Sequence, residues 1–429
     1  MRKLTVGIAL LAGLMLSVGN ATQIKAQDTI RVMTYNLLRY GASGISCSPV
    51  PVTTRNPWFT SVMSATMPDI FGVNEIGPFD GPTSPSTNAL INILQPLNPA
   101  YKAAQITFNT YTNNQDVANN MFYNSDVVGL ASQAVIPETN SIRDLNYYKF
   151  YYKGPGLAFG DTTFIEVVQV HLHSSAENVR SAQTASVMAY LNGLGRTGNF
   201  IVQGDFNLDR STSGSFQNMV AHTNPNCKMN DPLGITGTWT NNNNVDHVHT
   251  QSTRSSASNC GSGGGLDDRF DMILASNALM NNSLGLQILP ATHWVVGNPN
   301  APNAAVDGNT QAGIIGMSDH HPVAIDVLVS KAVSNEVALP QTKYLRVLGN
   351  PASEQLNLML DLREFAGQSA DITLADLSGR TLRNWNMVAE NNQHTTQFNI
   401  EGLASGAYFI RLNVGENLLS TQKLLVIGE

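Results

Sequence analysis

From Thr29 to Asn36 the chain alternates, with Ile30, Val32 and Thr34 on one side and Arg31, Met33 and Tyr35 on the other. A period of two predicts a strand, here one that delivers Asn36 at its end. Arg55 to Met67 changes to a helical period, with Phe59, Val62, Met63 and Thr66 on one face and Pro68 as the stop. Asp69 to Asn74 reads as a short apolar strand with Glu75 at its end. Ser86 to Gln95 reads as a helix capped by Ser86 or Thr87 and stopped by Pro96. Strand-like runs follow near Lys102–Thr107, Asn120–Tyr123 and Tyr147–Tyr152. Thr163 to His171 is rich in β-branched residues and is expected to bring His171 and His173 to the same side. A helix over Ala176–Leu194 leads into a strand over 199–204, which ends in Gly204-Asp205-Phe206-Asn207.

Residues 211–265 lose this pattern and read as loop, with asparagines at 241–244 and glycines at 263–265. Arg269 to Leu274 returns to a strand carrying Asp271, and 281–316 reads as an edge strand or two with a Pro/Asn/Gly-rich loop. Ser318-Asp319-His320-His321-Pro322 introduces a final strand, Val323–Val329. Strands alternating with helices predict a mixed α/β domain. After a linker at 331–344 the pattern becomes all-β. Seven short strands in 345–429 predict a small β-sandwich.

At the N-terminus, Arg2 and Lys3 precede an apolar run from Leu4 to Val18, followed by small residues. This pattern predicts a cleaved signal peptide over 1–26, and the run is short for a membrane span. The organisation expected is therefore signal peptide, catalytic domain at 27–330, linker, and C-terminal domain at 345–429, exported and without a transmembrane segment. Residues 28–340 hold 14 Lys/Arg against 22 Asp/Glu, a balance unlike that of an avid nonspecific nucleic-acid binder. An oxidising compartment permits one disulfide among Cys47, Cys227 and Cys260. Cys227 and Cys260 flank one loop-rich insertion and are expected to pair.

The candidate chemistry lies at the strand ends: Asn36, Glu75, His171, Asp205, Asn207, Asp271, Asp319 and His320. In layered α/β domains such ends gather at one rim, where ligands bind. Carboxylate and amide oxygens suit a hard divalent cation, Mg²⁺, Mn²⁺ or Ca²⁺, and histidines suit proton transfer near neutral pH. Together they point to hydrolysis of a phosphate ester. His247 and His249 sit in the Asn-rich loop without a further close ligand and are expected to be structural or solvated.

Met-Thr-Tyr-Asn36, the run ending in Asn74-Glu75, Val-His171-Leu-His-Ser, Gly-Asp205-Phe-Asn207, Arg269-Phe-Asp271 and Ser-Asp319-His320 occur in order. Together they resemble the motif set of the endonuclease/exonuclease/phosphatase superfamily, the fold of pancreatic-type deoxyribonucleases, abasic-site endonucleases, bacterial sphingomyelinases and inositol-polyphosphate phosphatases. The resemblance implies a four-layered α/β sandwich of two mixed β-sheets flanked by helices. It also implies a metal held by Glu75 and Asn36, with Asp319 as a further ligand, and a water and phosphate positioned by Asp205 and Asn207. His320 would be oriented by Asp271, and His171 would donate to the phosphate or the leaving group. The activity implied is that of a secreted, Mg²⁺-dependent phosphoesterase. Phosphodiesters, and extracellular nuclease action on nucleic acid, lead among the substrates. A sphingomyelinase, a phosphomonoesterase and a catalytically idle adhesion or binding protein are the alternatives, and a monomer is expected. Gly349-Asn350-Pro351-Ala352, Leu374 to Arg380 and Leu403 to Arg411 resemble the C-terminal sorting domain of the type IX secretion system of Bacteroidetes. That resemblance implies the type IX machinery as partner and a location outside the cell or on its surface.

Overall fold

The computed structural model describes residues 28–330 and 344–427, apart from 43–46, 79–84, 109, 111–116, 139–141, 155–161, 303–304, 377–379 and 416. The expected signal peptide and nearly all of the expected linker lie outside the described residues. In chain order the first domain holds β1 (Thr29–Tyr40), α1 (Val52–Thr66), β2 (Ile70–Ile76), α2 (Pro85–Leu97), β3 (Tyr101–Ala103), β4 (Ala118–Asn124), β5 (Val128–Ile136), β6 (Leu145–Tyr152) and β7 (Phe164–His171). It continues with α3 (Glu177–Gly193), β8 (Phe200–Asp205), α4 (Gly214–Val220), β9 (Met229–Asn230), β10 (Asp271–Ser276), α5 (Asn277–Met280), β11 (Leu286–Val295), α6 (Gly308–Met317) and β12 (Val323–Val329).

These strands form two six-stranded sheets, ordered β11-β12-β1-β2-β4-β3 and β5-β6-β7-β8-β10-β9. Strands in both sheets are buried on two sides, because each sheet packs on the other and on a helical layer. Ile30 and Val32 of β1 meet Ile165, Val167 and Ile201 of the second sheet in the layer between the sheets. Met33 and Tyr35 of β1 point the other way, into a core shared with Phe59 and Val62 of α1, Leu90 of α2 and Ile314 of α6. Val168 and Val202 likewise face Val187 and Leu191 of α3. The architecture is the expected four-layered sandwich.

The space between the sheets changes character along the strands. The inward positions of β1 run Ile30, Val32, Thr34, Asn36; those of β7 run Ile165, Val167, Gln169, His171; those of β8 run Ile201, Gln203, Asp205. Each strand starts aliphatic, passes through a hydroxyl or amide, and ends on a candidate site residue. In the middle rung, Gln169 Nε2 donates to Thr34 Oγ1 and Asn74 Oδ1, both at 3.0 Å, while its Oε1 accepts from Gln203 Nε2 at 3.0 Å. Asn74 Nδ2 continues to Asn119 Oδ1 at 2.8 Å and Val170 O at 2.9 Å. Gly72 makes room for this ladder, since a Cβ there would lie 1.9 Å from Gln169 Oε1.

The second domain holds β13 (Leu345–Leu348), β14 (Gln355–Asp361), β15 (Ser369–Ala375), β16 (Thr381–Val388), β17 (Gln393–Asn399), β18 (Gly406–Val414) and β19 (Asn417–Val426). They make a three-stranded sheet, β13-β14-β17, and a four-stranded one, β16-β15-β18-β19. Along β14, β15 and β18 every second residue is buried, and Leu356, Leu358, Leu360, Ile372, Leu374, Ile410, Leu412 and Leu424 form the core.

The disulfide differs from the expectation. Cys47 and Cys260 are bonded, and Cys227 is a buried free thiol. Cys227 sits with Phe216, Met229 and Trp239 in the core beneath α3, whereas Cys260 lies on a loop that reaches the segment after β1. Flanking one insertion in sequence does not bring the two ends together in space.

Candidate active site

Strand pairing alone puts three of the candidate residues in a row. In the parallel pair β7–β8, His171 is opposite Asp205; in the antiparallel pair β8–β10, Asp205 is opposite Asp271. Gly204 is what allows the close register, because it has φ +133° and a Cβ there would lie 1.9 Å from Val170 O. Asp205 Oδ1 accepts the backbone N–H of Asn207 at 3.0 Å, so the local Asx-turn is present too. Asn207 has φ 51°, and its side-chain Nδ2 donates to Leu172 O at 3.1 Å.

The first sheet supplies the facing wall. Asn36 Nδ2 lies 3.0 Å from Asp205 Oδ2 and 3.3 Å from Glu75 Oε1, and Asn36 Oδ1 accepts the Leu38 N–H. Glu75 adopts a left-handed φ of 57°, which for a non-glycine residue marks a side chain held in a special position. His171 Nε2 is 3.5 Å from Asp205 Oδ2 and 3.7 Å from Glu75 Oε1. His320 Nδ1 is 2.6 Å from Asp271 Oδ2, and its Nε2 is 3.8 Å from Asp205 Oδ2. A carboxylate at Nδ1 fixes a tautomer in which that nitrogen carries hydrogen.

Asn36, Glu75, His171, Asp205, Asp271 and His320 therefore converge on one place, and Asn207 lies one turn beyond Asp205. Asp319 faces sideways: its Oδ2 accepts from the Ser262 N–H at 2.7 Å and from Gln251 Nε2 at 3.2 Å. His173 is not delivered with His171. Its Nδ1 accepts the N–H groups of Ser175 and Ala176, because the strand ends at His171 and the chain turns at once into α3. His321 is buried and rests Nδ1 on Val296 O at 2.8 Å. His249 is structural, with ring nitrogens 2.8 Å from Trp239 O and 3.2 Å from Leu266 O.

The electrostatics follow from burial and crowding. Burial opposes charge on His320, but Asp271, Asp205 and Asp319 outweigh it and hold the imidazole well above its ordinary value. Burial pushes the Asp205 carboxyl up, and the carboxylates of Asp271 and Glu75 add to the rise against the pull of His320. Burial, then the charges of Arg143, His320 and Arg39, hold His171 well below its ordinary value. Glu75, Asp205, Asp271 and Asp319 gather around the two imidazoles, and His171 Nδ1, Asp271 Oδ1 and Asp319 Oδ1 are buried without hydrogen-bond partners. A surplus of negative charge with unsatisfied oxygens is an environment that suits a divalent cation. Among the described residues no three His, Cys, Asp or Glu side chains form a closed cage. Glu75 with amide and water oxygens suits Mg²⁺, which keeps several of its waters.

Several residues that hold the site lie outside the candidate set read from sequence, although Ser318 and Arg269 fall within its motifs. Ser318 Oγ donates to Asn36 O at 2.6 Å and accepts the His320 N–H at 3.1 Å, tying the two motifs together. Arg55 is buried in α1 and donates to Leu37 O, Leu38 O and Met317 O. It lies four residues before Phe59 on the apolar face, and a charge on that face was the available signal. Gln251 Nε2 is 2.6 Å from His320 Nε2, and nothing in the loop pattern marked it. Arg269 makes a bidentate bond to Asp231 at 2.8 and 3.0 Å, fastening the insertion to the start of β10.

The structure is similar to an endonuclease/exonuclease/phosphatase family protein from Bacteroides thetaiotaomicron, at 17% identity and TM-score 0.46, covering 71% of this chain and 99% of that one. It is also similar to a mannosyl-6-phosphatase from the same organism, at 15% identity and TM-score 0.43, with 70% and 99% covered. The human nocturnin catalytic domain with bound sulfate is similar at 18% identity and TM-score 0.41, with 70% and 97% covered. No curated protein matches the chain. Residues 347–427 match the family model described as secretion system C-terminal sorting domain. This tail marks the protein for export by type IX secretion, to the cell surface or beyond it. No helix among the described residues is long and apolar enough to cross a membrane.

Proposed function

We propose that residues 28–330 form a divalent-metal-dependent hydrolase of phosphate esters in the endonuclease/exonuclease/phosphatase superfamily, acting outside the cell. The observation that carries this reading is the His320–Asp271 pair facing Asp205, with His171, Asn36 and Glu75 closing the same spot from two different sheets. Asp271 holds the His320 ring and favours its charged form, so His320 can take a proton from water through Nε2. Asp205 orients that water, with its Oδ1 tied down by the Asn207 amide and Oδ2 left facing the site. His171 presents Nε2 to a phosphate oxygen or to the leaving group. Glu75 would hold the metal, joined by Asn36 once its amide turns to present Oδ1 and by Asp319 once its carboxylate is released from Ser262. When bound, the metal would offset charge on the phosphate.

The test is an activity panel of DNA, RNA, sphingomyelin and phosphorylated sugars, with Mg²⁺ and with chelator. Hydrolysis of at least one ester that is lost with chelator is expected, with phosphodiesters the first class to assay. Chelator-insensitive hydrolysis, or none on any ester, would overturn the reading.

A further inference from the structure

Gln251 occupies the position that a substrate must reach. Its Nε2 lies 2.6 Å from His320 Nε2, the ring nitrogen not held by Asp271, and 3.2 Å from Asp319 Oδ2. In the neutral ring, with Nδ1 donating to Asp271, the facing Nε2 accepts a hydrogen, and the amide supplies it. A water or phosphate oxygen approaching that nitrogen must therefore displace the amide or share it.

The backbone that carries Gln251 is fixed. Its N–H donates to Asp268 O at 3.1 Å, and its carbonyl accepts from Asp267 and Asp268, both at 2.9 Å. Beside it the His321 N–H donates to Thr250 O at 2.7 Å, and Thr250 Oγ1 accepts the Asp271 N–H at 3.0 Å. The same loop is bonded through Cys260 to Cys47. The half-buried side chain is the part free to move, and its amide carries two hydrogens. One can stay on Asp319 while the other turns to an incoming oxygen.

We propose that Gln251 is a substrate-binding residue: its amide caps His320 in the empty site and donates to a phosphate oxygen when the ester binds. This rests on the phosphoesterase reading for its ligand, but the donor itself can be tested without turnover. The probe is inorganic phosphate, titrated calorimetrically into the full chain at fixed Mg²⁺, with melting temperature measured alongside. Gln251→Ala should bind phosphate about tenfold more weakly, the size of one hydrogen bond to a charged group. Gln251→Glu keeps the length and reverses the chemistry, so it should bind more weakly still. On an ester that the enzyme cleaves, Gln251→Ala should raise KM more than it lowers kcat.

Unchanged phosphate affinity in either variant, or no phosphate binding by the wild type, would overturn the proposal. If Gln251→Ala does not fold, Gln251→Glu decides alone. A wild type that cleaves no ester, yet binds phosphate in a Gln251-dependent way, would remove the proposed activity and keep the donor. An active enzyme whose phosphate affinity ignores both substitutions would do the reverse.

Discussion

The two sandwiches in this chain fill the space between their sheets differently. In the C-terminal domain that space is mainly aliphatic, built from the alternate leucines and isoleucines of β14, β15 and β18, and the buried amide of Gln422 bonds to the β13 backbone at its edge. In the first domain it is aliphatic at one end only. It then passes through the Gln169, Gln203 and Asn74 ladder to His171, Asp205 and Asn36. Amides buried between sheets cost stability unless every partner is met. The first domain accepts that demand where the strands must hold charged groups in register. The second has no such groups to hold. Polar interior is thus concentrated where chemistry is expected, and the sorting domain is held together by apolar packing.

Substitutions can break this contrast, and their effects on turnover should fall in a definite order. His320→Ala should be the most damaging, by about 10²–10⁴-fold for loss of proton transfer alone. Asp271→Asn should cost less, because an amide can still orient the ring. His321→Ala should spare kcat and lower the melting temperature, since His321 packs against Val296 on the opposite side. A dead His321→Ala with an active His320→Ala would reverse the assignment. Next comes Glu75→Gln, which should abolish the stabilisation expected from Mg²⁺ in the wild type, about 2.7 kcal/mol at a hundredfold excess over Kd. A variant still stabilised by Mg²⁺ would remove Glu75 from the metal site.

Gln169→Leu probes the ladder itself. It leaves Gln203 Nε2 with one partner fewer and should cost about 1–3 kcal/mol, with a smaller loss of turnover as the strand ends loosen. Leu358→Ala in the second domain should cost about 2–5 kcal/mol locally and leave turnover unchanged. Equal damage to turnover from both would erase the distinction between the two interiors. Truncation after Pro340 should likewise keep specific activity while blocking secretion in the native host; a folded but inactive product would give the tail a catalytic role.

The smallest effect concerns pH. Asp231 is buried, which alone would raise its pKa, but its bidentate bond to Arg269 overcomes this and holds it below the ordinary value. A depressed carboxyl contributes stability that is full above its unfolded pKa of about 3.9 and is lost as pH falls through the folded one. The stability gap between wild type and Asp231→Asn should therefore be constant above about pH 5 and close below pH 4. A gap that stays constant to pH 3 would show that the pair does not set the acid limit.

Much of this arrangement was legible because the strands announce themselves by period. The strand expected at Val323–Val329 matches β12 to the residue, and the seven strands expected in 345–429 are β13 to β19. Helix α6 was missed because Gly308–Met317 is glycine-rich and poor in helix formers. It is held instead by Asp307 capping Asn309 and Thr310 and by Ile314 and Met317 packing into the core with α1. Strand β5 was missed because its middle, Ser132 and Gln133, lies at a sheet edge and lacks the apolar run of a buried strand. The site motifs were legible as a set, since each sits where an inward-facing series turns polar. Gln251 and the Cys47–Cys260 bond were not, because loop positions carry no period and their partners lie far away in sequence.

The division of the site between two sheets also bears on when activity can begin. The Asn36–Asp205 bond joins residues 169 positions apart, and the Ser318–Asn36 bond joins residues 282 apart. Contacts of such range form late, after the entropy of closing very long loops has been overcome. Neither sheet alone supplies all three of the proposed water-positioning acid, histidine base and metal carboxylate. A chain still emerging from the ribosome, or still extended on its way across a membrane, has no residue 320 beside residue 36. Its topology thus keeps the proposed site unassembled until the whole domain has closed.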